Sequence, residues 1–197
     1  AAFLNLERLR TLMLKEQIPF GTAIELVRCS SLFTTHTPVP AGHDSFREDL
    51  MRRYFSHYSE RCNIDWPTFM CLGRKNIDDV YSKFSMSILA CKLSQEINGV
   101  SAIHGRVSRE MFSFLYEGHL PEELHIGHVT NGVHYPSWAH KKWQLFHKEL
   151  FDNQFIKDQS NDQIWKKIYE VDDADIWKIK DDLREELIDH IKIQLEV

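Results

Sequence analysis

Apolar residues recur at helical spacing over much of the chain. Phe3, Leu6 and Leu9 follow one another in steps of three. This spacing predicts an amphipathic helix over residues 1–17, which ends before Pro19 because proline cannot continue the helical hydrogen-bond pattern. Similar patterns and capping residues predict further helices over residues 21–28, 44–58, 66–72 and 94–112. Three more helices are predicted to begin at Pro136, after a Ser160–Gln163 capping box, and at about residue 172.

Two or three short segments have the character of β-strands. The clearest are Leu32 and Phe33 with the threonines that follow, and residues 127–130, which end at an Asn-Gly turn pair. The predicted fold class is therefore mostly α with a few short strands. So few strands cannot complete a doubly wound α/β sheet. The first helical pattern begins without an N-cap and the last ends without a stop signal, so we expect a fragment of a larger protein.

The composition is that of an ordinary globular protein, since the 197 residues are 43% hydrophobic and 27% charged. A formal net charge of −5 argues against a nucleic-acid or anionic-membrane surface, because such surfaces need clustered Lys and Arg. No apolar run approaches the ~20 residues of a membrane span. The four cysteines have neither disulfide-framework nor zinc spacing. We therefore expect reduced thiols in a cytoplasmic protein.

The segment 33–44 places two histidines and two prolines within twelve residues. Pro38 and Pro40 each fix their own φ and push the preceding residue toward extended geometry. His36 is therefore presented on a stiff segment after a short strand, where its ring can be aimed at a ligand with little further loss of entropy. From these residues alone two interpretations stay open: a ligand-binding loop, and a proline-rich turn with a satisfied histidine.

Two further segments carry polar side chains that could bind a ligand. Asn131 follows a predicted strand, and its amide can both donate and accept, as a sugar hydroxyl does. An ordinary Asn-Gly turn is the alternative. His104 lies on or beside the apolar face of the helix predicted over residues 94–112, which favours a hydrogen-bonded core histidine. Gly99 and Gly105 in the same segment indicate close approach of a neighbouring backbone.

Other catalytic and metal-binding patterns are absent from the sequence. There are 11 histidines, but no pair at i,i+4 faces a carboxylate on one helix, as a zinc protease requires. The sequence has no Gly-rich phosphate loop, no Gly-x-Ser-x-Gly elbow and no Cys/His nucleophile arrangement. We therefore expect neither a metal site nor a catalytic nucleophile in this chain.

Taken in order, the three segments resemble the α-glucan (glycogen, starch and maltodextrin) phosphorylases, in particular their bacterial branch. The matching stretches are residues 34–43, 98–109 and 130–138. The resemblance implies a fragment of a two-domain Rossmann-like (GT-B type) α/β glycosyltransferase fold. Residues 1–134 would be the late part of the N-terminal Rossmann-like domain, and residues 135–197 the helical start of the C-terminal domain.

The resemblance also implies an activity and two substrate-binding residues. The activity is reversible phosphorolysis of α-1,4-glucans to glucose 1-phosphate, with glucan and phosphate as partners of the parent enzyme. His36 and Asn131 would contact the same sugar at the cleavage site, and no catalytic residue is carried over. In the family, the lysine that holds pyridoxal phosphate and the phosphate-binding Arg and Lys residues lie beyond the position of Val197. The isolated chain is therefore expected to be inactive.

Two other functions are kept as alternatives. A glycogen-synthase-like glycosyltransferase shares the two-domain architecture, but it would need a basic pair and a nucleotide pocket that are not visible in this sequence. A non-catalytic carbohydrate-binding helical module would use exposed tryptophans as stacking surfaces. The candidates for such surfaces are Trp66, Trp138, Trp143, Trp165 and Trp177.

Overall fold

A computed structural model describes residues 2–195, apart from the side chains of Asp152 and Gln154. The chain forms two compact units, and the boundary between them falls between Asn131 and Gly132. Helices make up most of both units and the strands are short. The predicted fold class of mostly α with a few short strands is therefore confirmed.

The first unit contains helices, short strands and three single 3-10 turns. Its helices are α1 (Phe3–Glu16), α2 (Phe20–Cys29), α3 (Glu48–Arg61), α4 (Trp66–Cys71), α5 (Met86–Lys92) and α6 (Ala102–Phe112). Its strands are β1 (Leu32–Thr34), β2 (Ser45–Phe46), β3 (Phe84–Ser85), β4 (Glu96–Gly99) and β5 (Ile126–His128). The 3-10 turns are Pro40–Gly42, Ser113–Leu115 and Pro121–Glu123.

A three-stranded parallel sheet lies at the centre of the first unit. The strand order is β1-β4-β5, so β4 is the middle strand, while β2 and β3 form a separate antiparallel pair. In the register of the parallel sheet, Phe33 lies beside Ile97 and Ile97 lies beside Ile126. Parallel neighbours need a crossover connection, and α6 provides the one between β4 and β5.

Two apolar clusters form the core of this unit. The smaller one lies between the parallel sheet and α6, and its buried members are Cys91, Ile97, Phe112, Leu124 and Ile126. The larger one joins helices α1 to α5, and its buried members are Leu6, Leu9, Ala23, Val27, Met51, Phe69, Met70, Leu72, Phe84, Leu89 and Leu93. The helical pattern predicted over residues 1–17 thus faces the larger cluster.

The helix predicted over residues 94–112 is wrong in its first part. Residues Glu96–Gly99 form β4, and α6 begins only at Ala102. Three of the four β4 residues are buried, because the strand has a neighbour on each side. A strand buried in this way does not alternate between apolar and polar residues, so its apolar positions fit a helical period equally well.

Close backbone approach at Gly99 and Gly105 is confirmed. A Cβ atom built on Gly99 would lie 2.7 Å from the backbone nitrogen of Gly105. A Cβ atom on Gly105 would lie 2.9 Å from the carbonyl oxygen of Gly127 in β5. The start of α6 is therefore packed directly against the sheet backbone, at a separation that leaves no room for side chains.

Two predicted helix starts differ from the structure. The helix predicted over residues 44–58 begins at Glu48, because the residues before it pair with β3 as strand β2. The Ser160–Gln163 capping box is wrong. Asn161 is the N-cap residue, and its side chain accepts the backbone N–H of Gln163 at 3.0 Å.

A half-buried carboxylate joins α3 to the segments that follow it. Glu48 accepts hydrogen bonds from Arg74 and from Trp66 Nε1, both at 2.9 Å, and also from Arg52. Arg74 is buried and donates in addition to the carbonyl of Ser82 at 2.8 Å. Burial alone would raise the pKa of Glu48, but the hydrogen bonds from Arg74, Trp66 and Arg52 outweigh it and hold that pKa below its ordinary value.

The second unit is helical throughout the part that the structure describes. It contains α7 (Tyr135–Trp138), α8 (Lys141–Lys157), α9 (Asp162–Trp165), a 3-10 segment (Lys166–Glu170) and α10 (Asp173–Leu195). Lys142 of α8 pairs with Asp182 and Glu186 of α10, at 3.1 and 2.8 Å. These contacts join the two long helices.

An aromatic cluster surrounds His147 of α8. Its members are Tyr135, Trp143, Phe146, Phe151, Phe155 and Trp165. His147 Nδ1 lies 2.7 Å from the Tyr135 hydroxyl. Burial lowers the pKa of His147 and raises the pKa of Tyr135, because the apolar rings disfavour the charged form of each side chain.

Candidate functional site

The carboxyl ends of three parallel strands bring the two predicted site residues to one edge of the first unit. β1, β4 and β5 run in the same direction, so all three end at the same edge of the sheet. His36 follows the last residue of β1 by two positions, and Asn131 follows the last residue of β5 by three. This edge is where open α/β sheets place their ligands.

Hydrogen bonds to β4 and the residue after it hold the two loops at this edge. The backbone N–H of Thr35 donates to the carbonyl of Asn98 at 3.0 Å, and the backbone N–H of Asn131 donates to the carbonyl of Val100 at 3.1 Å. Each bond spans one strand spacing, so the two loops run about 10 Å apart, with the end of β4 between them. The backbones of both loops therefore lie at the same end of the sheet, on either side of β4.

The side chains of His36 and Asn131 are both exposed. Neither makes a hydrogen bond through its side chain to any residue that the structure describes. His36 lies on the wall of a cleft of about 540 Å³, together with Thr35, Asp44, Ser87 and Ser94, whereas Asn131 does not line this cleft. Both groups are thus free to donate to and accept from a ligand hydroxyl.

His43, the second histidine of the loop, is satisfied by protein partners. Its Nε2 lies 2.9 Å from the carbonyl oxygen of Thr37 and its Nδ1 lies 2.7 Å from Ser87 Oγ. Because a carbonyl oxygen can only accept, Nε2 carries the hydrogen. His43 therefore ties the far end of the loop to its beginning and to α5.

Gly42 allows the same loop to close tightly. A Cβ atom built on it would lie 2.2 Å from Thr37 Cγ2. The Thr37 hydroxyl in turn accepts the backbone N–H of Val39 at 3.1 Å. The loop that carries His36 is thus fixed by its own contacts as well as by its prolines.

His104 lies at the same edge, and its environment agrees only in part with the one that the sequence predicts. It is buried, and its Nδ1 accepts the backbone N–H of Val100 at 3.2 Å, as expected of a hydrogen-bonded core histidine. Its Nε2 is also buried, but it has no hydrogen-bond partner among the described residues. Nothing in the sequence indicates this unpaired atom, because it depends on how α6 packs on the sheet.

A larger cleft lies away from this edge. It has a volume of about 640 Å³ and includes Glu96 at the amino end of β4, with Cys71 and Lys92 among its other residues. Lys92 Nζ donates to the carbonyl of Cys71 at 2.7 Å and to that of Lys75 at 3.1 Å, which occupies the ammonium group. We place the candidate site at the carboxyl edge, because open α/β sheets bind ligands there and both residues predicted from the sequence lie on its loops.

The arrangement at the carboxyl edge is suited to binding a polar ligand. Neither segment 35–44 nor segment 129–134 contains Lys or Arg, so these loops offer no cation for a phosphate group.

Residues 2–195 contain no cluster of three or more His, Cys, Asp and Glu side chains that could hold a metal ion. Over the same residues, no helix is both long enough and apolar enough to cross a membrane.

Comparison with known protein families agrees with the sequence and the fold. Residues 2–197 match the family of carbohydrate phosphorylases. The chain therefore belongs to this family, and the resemblance noted in the sequence is confirmed.

Named relatives extend the comparison. The chain is 38% identical over 199 residues to a glycogen phosphorylase of Mycobacterium tuberculosis (strain ATCC 25618 / H37Rv), covering 99% of this chain and 23% of that protein. It is 32% identical over 180 residues to a glycogen phosphorylase of Aquifex aeolicus, covering 91% of this chain and 25% of that protein. It is 29% identical over 195 residues to a maltodextrin phosphorylase of Thermococcus litoralis, covering 99% of this chain and 22% of that protein. The chain thus spans about a quarter of the length of these relatives.

Proposed function

We propose that this chain is part of an α-glucan phosphorylase, which catalyses reversible phosphorolysis of α-1,4-glucans to glucose 1-phosphate. The family match supports this proposal, as do relatives named glycogen phosphorylase and maltodextrin phosphorylase. The observation that carries it is the pair of exposed polar side chains, His36 and Asn131, which lie at one edge of the parallel sheet and have no side-chain partner among the described residues.

His36 and Asn131 orient the sugar at the cleavage site. Each side chain can both donate to and accept from a glucosyl hydroxyl. Two such contacts from opposite sides of β4 fix a sugar ring in position and in rotation, which favours a reactive geometry. Neither residue supplies a nucleophile or a proton in this proposal.

The parent enzyme uses pyridoxal phosphate and inorganic phosphate. The residues at the carboxyl edge do not fit either group, because the loops that carry His36 and Asn131 contain no Lys and no Arg. The cofactor lysine and the phosphate-binding residues therefore belong to other parts of the protein.

The chain contains parts of two domains of a GT-B type fold, and their proposed boundary lies three residues after the boundary between the two units. Residues 1–134 belong to the N-terminal Rossmann-like domain and residues 135–197 to the start of the C-terminal domain. The parallel sheet of the first unit and the helices of the second are consistent with this assignment.

We place the protein in the cytoplasm, because all four cysteines are free thiols.

The tryptophans give less support to a carbohydrate-binding helical module. Trp143 and Trp165 pack in the aromatic cluster around His147, and Trp66 donates to Glu48 beneath Arg52. Trp138 in α7 and Trp177 in α10 are the two with at least half of their surface exposed.

An assay of the full-length protein tests the proposed function. The protein is incubated with a maltooligosaccharide and inorganic phosphate, and in parallel with a maltooligosaccharide and a sugar nucleotide. We expect glucose 1-phosphate in the first reaction and no chain extension in the second. Extension from the sugar nucleotide alone would instead support the synthase-like alternative.

A further inference from the structure

The peptide unit between Gly99 and Val100 is held by three hydrogen bonds at the end of β4. Its carbonyl oxygen accepts the backbone N–H of Val129 at 2.9 Å and Asn98 Nδ2 at 3.2 Å. Its N–H donates to His104 Nδ1 at 3.2 Å. Two buried polar side chains, Asn98 and His104, therefore fix this peptide from within the protein.

The same two side chains connect the peptide to both loops of the candidate site. Asn98 Oδ1 accepts the hydroxyl of Thr34 at 2.9 Å, two residues before His36. On the other side, the Val100 carbonyl accepts the backbone N–H of Asn131 at 3.1 Å. A continuous set of hydrogen bonds thus runs across the sheet edge between the two loops.

The buried ring of His104 has a definite hydrogen-bonding role. Since Nδ1 accepts from a backbone N–H, the neutral ring carries its hydrogen on Nε2. This Nε2–H is buried and has no acceptor among the described residues. An unpaired buried donor destabilises a fold, and a leucine at this position would avoid it. The feature that requires histidine is therefore the acceptor at Nδ1.

We propose that His104 and Asn98 are positioning residues for sugar binding. They hold the end of β4 so that the loops of His36 and Asn131 present their side chains to one ligand. Neither residue contacts the sugar itself. This inference rests on the proposed function, because the effect is exerted through the two sugar-binding residues.

The test uses variants of the full-length protein in the phosphorolysis assay. His104→Leu removes the acceptor and leaves the Val100 N–H unpaired, whereas His104→Asn keeps an acceptor atom at the δ position. We expect the leucine variant to lower kcat/KM for the glucan by about tenfold to a hundredfold, because small misplacements of binding groups have effects of this size. We expect kcat/KM of the asparagine variant to lie within about threefold of the wild-type value. His119→Leu makes the same change at an exposed histidine and should have no effect.

A double-mutant cycle separates positioning from general stability. If His104 acts through Asn131, adding His104→Leu to Asn131→Ala should lower kcat/KM by less than about threefold further. A merely structural role would give additive losses. The cycle of Thr34→Val with His36→Ala tests the Asn98 side in the same way, and it remains available if His104→Leu does not fold.

The outcomes distinguish this inference from the proposed function. Wild-type activity in His104→Leu, equal losses in the leucine and asparagine variants, or additive losses in the cycles would each overturn the positioning role alone. An inactive wild-type protein would overturn the proposed function instead.

Discussion

His36 and His43 are seven residues apart on one loop and have opposite environments. His43 uses both ring nitrogens in contacts with Thr37 and Ser87, whereas the ring of His36 is exposed and makes no hydrogen bond to the described residues. The sequence presented both as imidazoles on a proline-rich segment. Only the packing of the loop on α5 shows that His43 has a structural role, while His36 stays available to a ligand.

Replacement of either proposed sugar-binding residue should reduce activity without reducing stability. His36→Ala and Asn131→Ala in the full-length protein each remove one hydrogen bond to the sugar. We expect kcat/KM for the glucan to fall by about tenfold to a hundredfold in each variant, and Tm to stay unchanged because both side chains are exposed. The measurements are initial-rate kinetics and thermal unfolding. Unchanged kinetics in both variants would contradict the proposed roles.

Gly42→Ala should destabilise the loop that carries His36. The new Cβ atom would lie 2.2 Å from Thr37 Cγ2, so the Thr37 side chain must move and disturb its hydrogen bond with Val39. We expect the free energy of unfolding to fall by about 1–3 kcal/mol, as for other overpacked sites.

A matched glycine gives the control for this change. Gly21→Ala in α2 places its Cβ atom in open space and should be neutral or slightly stabilising. Urea unfolding of both variants measures the difference. Equal stability of the two variants would show that the close approach at Gly42 is unimportant.

At the scale of elements, β4 and α6 show why an apolar pattern can mislead. Ile97, Val100 and Ile103 follow a helical spacing, yet the first lies in the middle strand of a sheet and the last is exposed on a helix. The glycines of this segment were the better indicator, because Gly99 and Gly105 do mark a close backbone approach. The change from strand to helix occurs at Ser101, whose side chain caps α6 by accepting the N–H of His104.

The Glu48 cluster at the start of α3 should make stability depend on acid pH. The pKa of Glu48 is lower in the folded protein than in the unfolded chain, so its contribution is complete above its ordinary pKa. That contribution is lost as the pH falls through the lower, folded value. Glu48→Gln should therefore lower the free energy of unfolding by about 1–2 kcal/mol at neutral pH, and by progressively less below pH 4.

A neighbouring carboxylate gives the control for Glu48. Asp49→Asn alters an exposed pair with Arg47 and should change stability by less than about 0.5 kcal/mol at any pH. Urea unfolding from pH 7 to pH 3 compares the two variants. A loss of stability in Glu48→Gln that does not depend on pH would contradict the role of the carboxylate charge.

The aromatic cluster of α8 should also weaken in acid, but in a higher pH range. Burial lowers the pKa of His147, so the unfolded segment takes up a proton before the folded one does. Stability therefore falls as the pH decreases below the ordinary histidine value of about 6.5. Hydrogen exchange of α8 amides, corrected for intrinsic rates, should show protection decreasing between pH 7.5 and pH 5.5.

Two histidine variants check this assignment. His147→Phe should remove the pH dependence of protection in α8. His190→Phe, at an exposed position of α10, should leave it unchanged. Persistence of the dependence in His147→Phe would locate the titrating group elsewhere.

At the scale of the whole molecule, this chain should be insufficient for catalysis. The isolated 197-residue chain contains both proposed sugar-binding residues, but the loops that carry them hold no cation for phosphate. We expect no glucose 1-phosphate from the purified chain with maltooligosaccharide, phosphate and added pyridoxal phosphate. The full-length protein in the same assay is the positive control. Phosphate-dependent release by the isolated chain would overturn this expectation.

The sequence by itself determined the family, the fold class and the identity of the exposed loop residues. Short motifs such as residues 34–43 carry this information locally, because prolines, glycines and caps act on their own backbone. Only the tertiary structure decided that β4 is a strand, that Glu48 binds the buried Arg74, and that Nε2 of the buried His104 has no partner among the described residues. These features depend on contacts between segments distant in sequence, and no local pattern encodes which buried polar groups will meet.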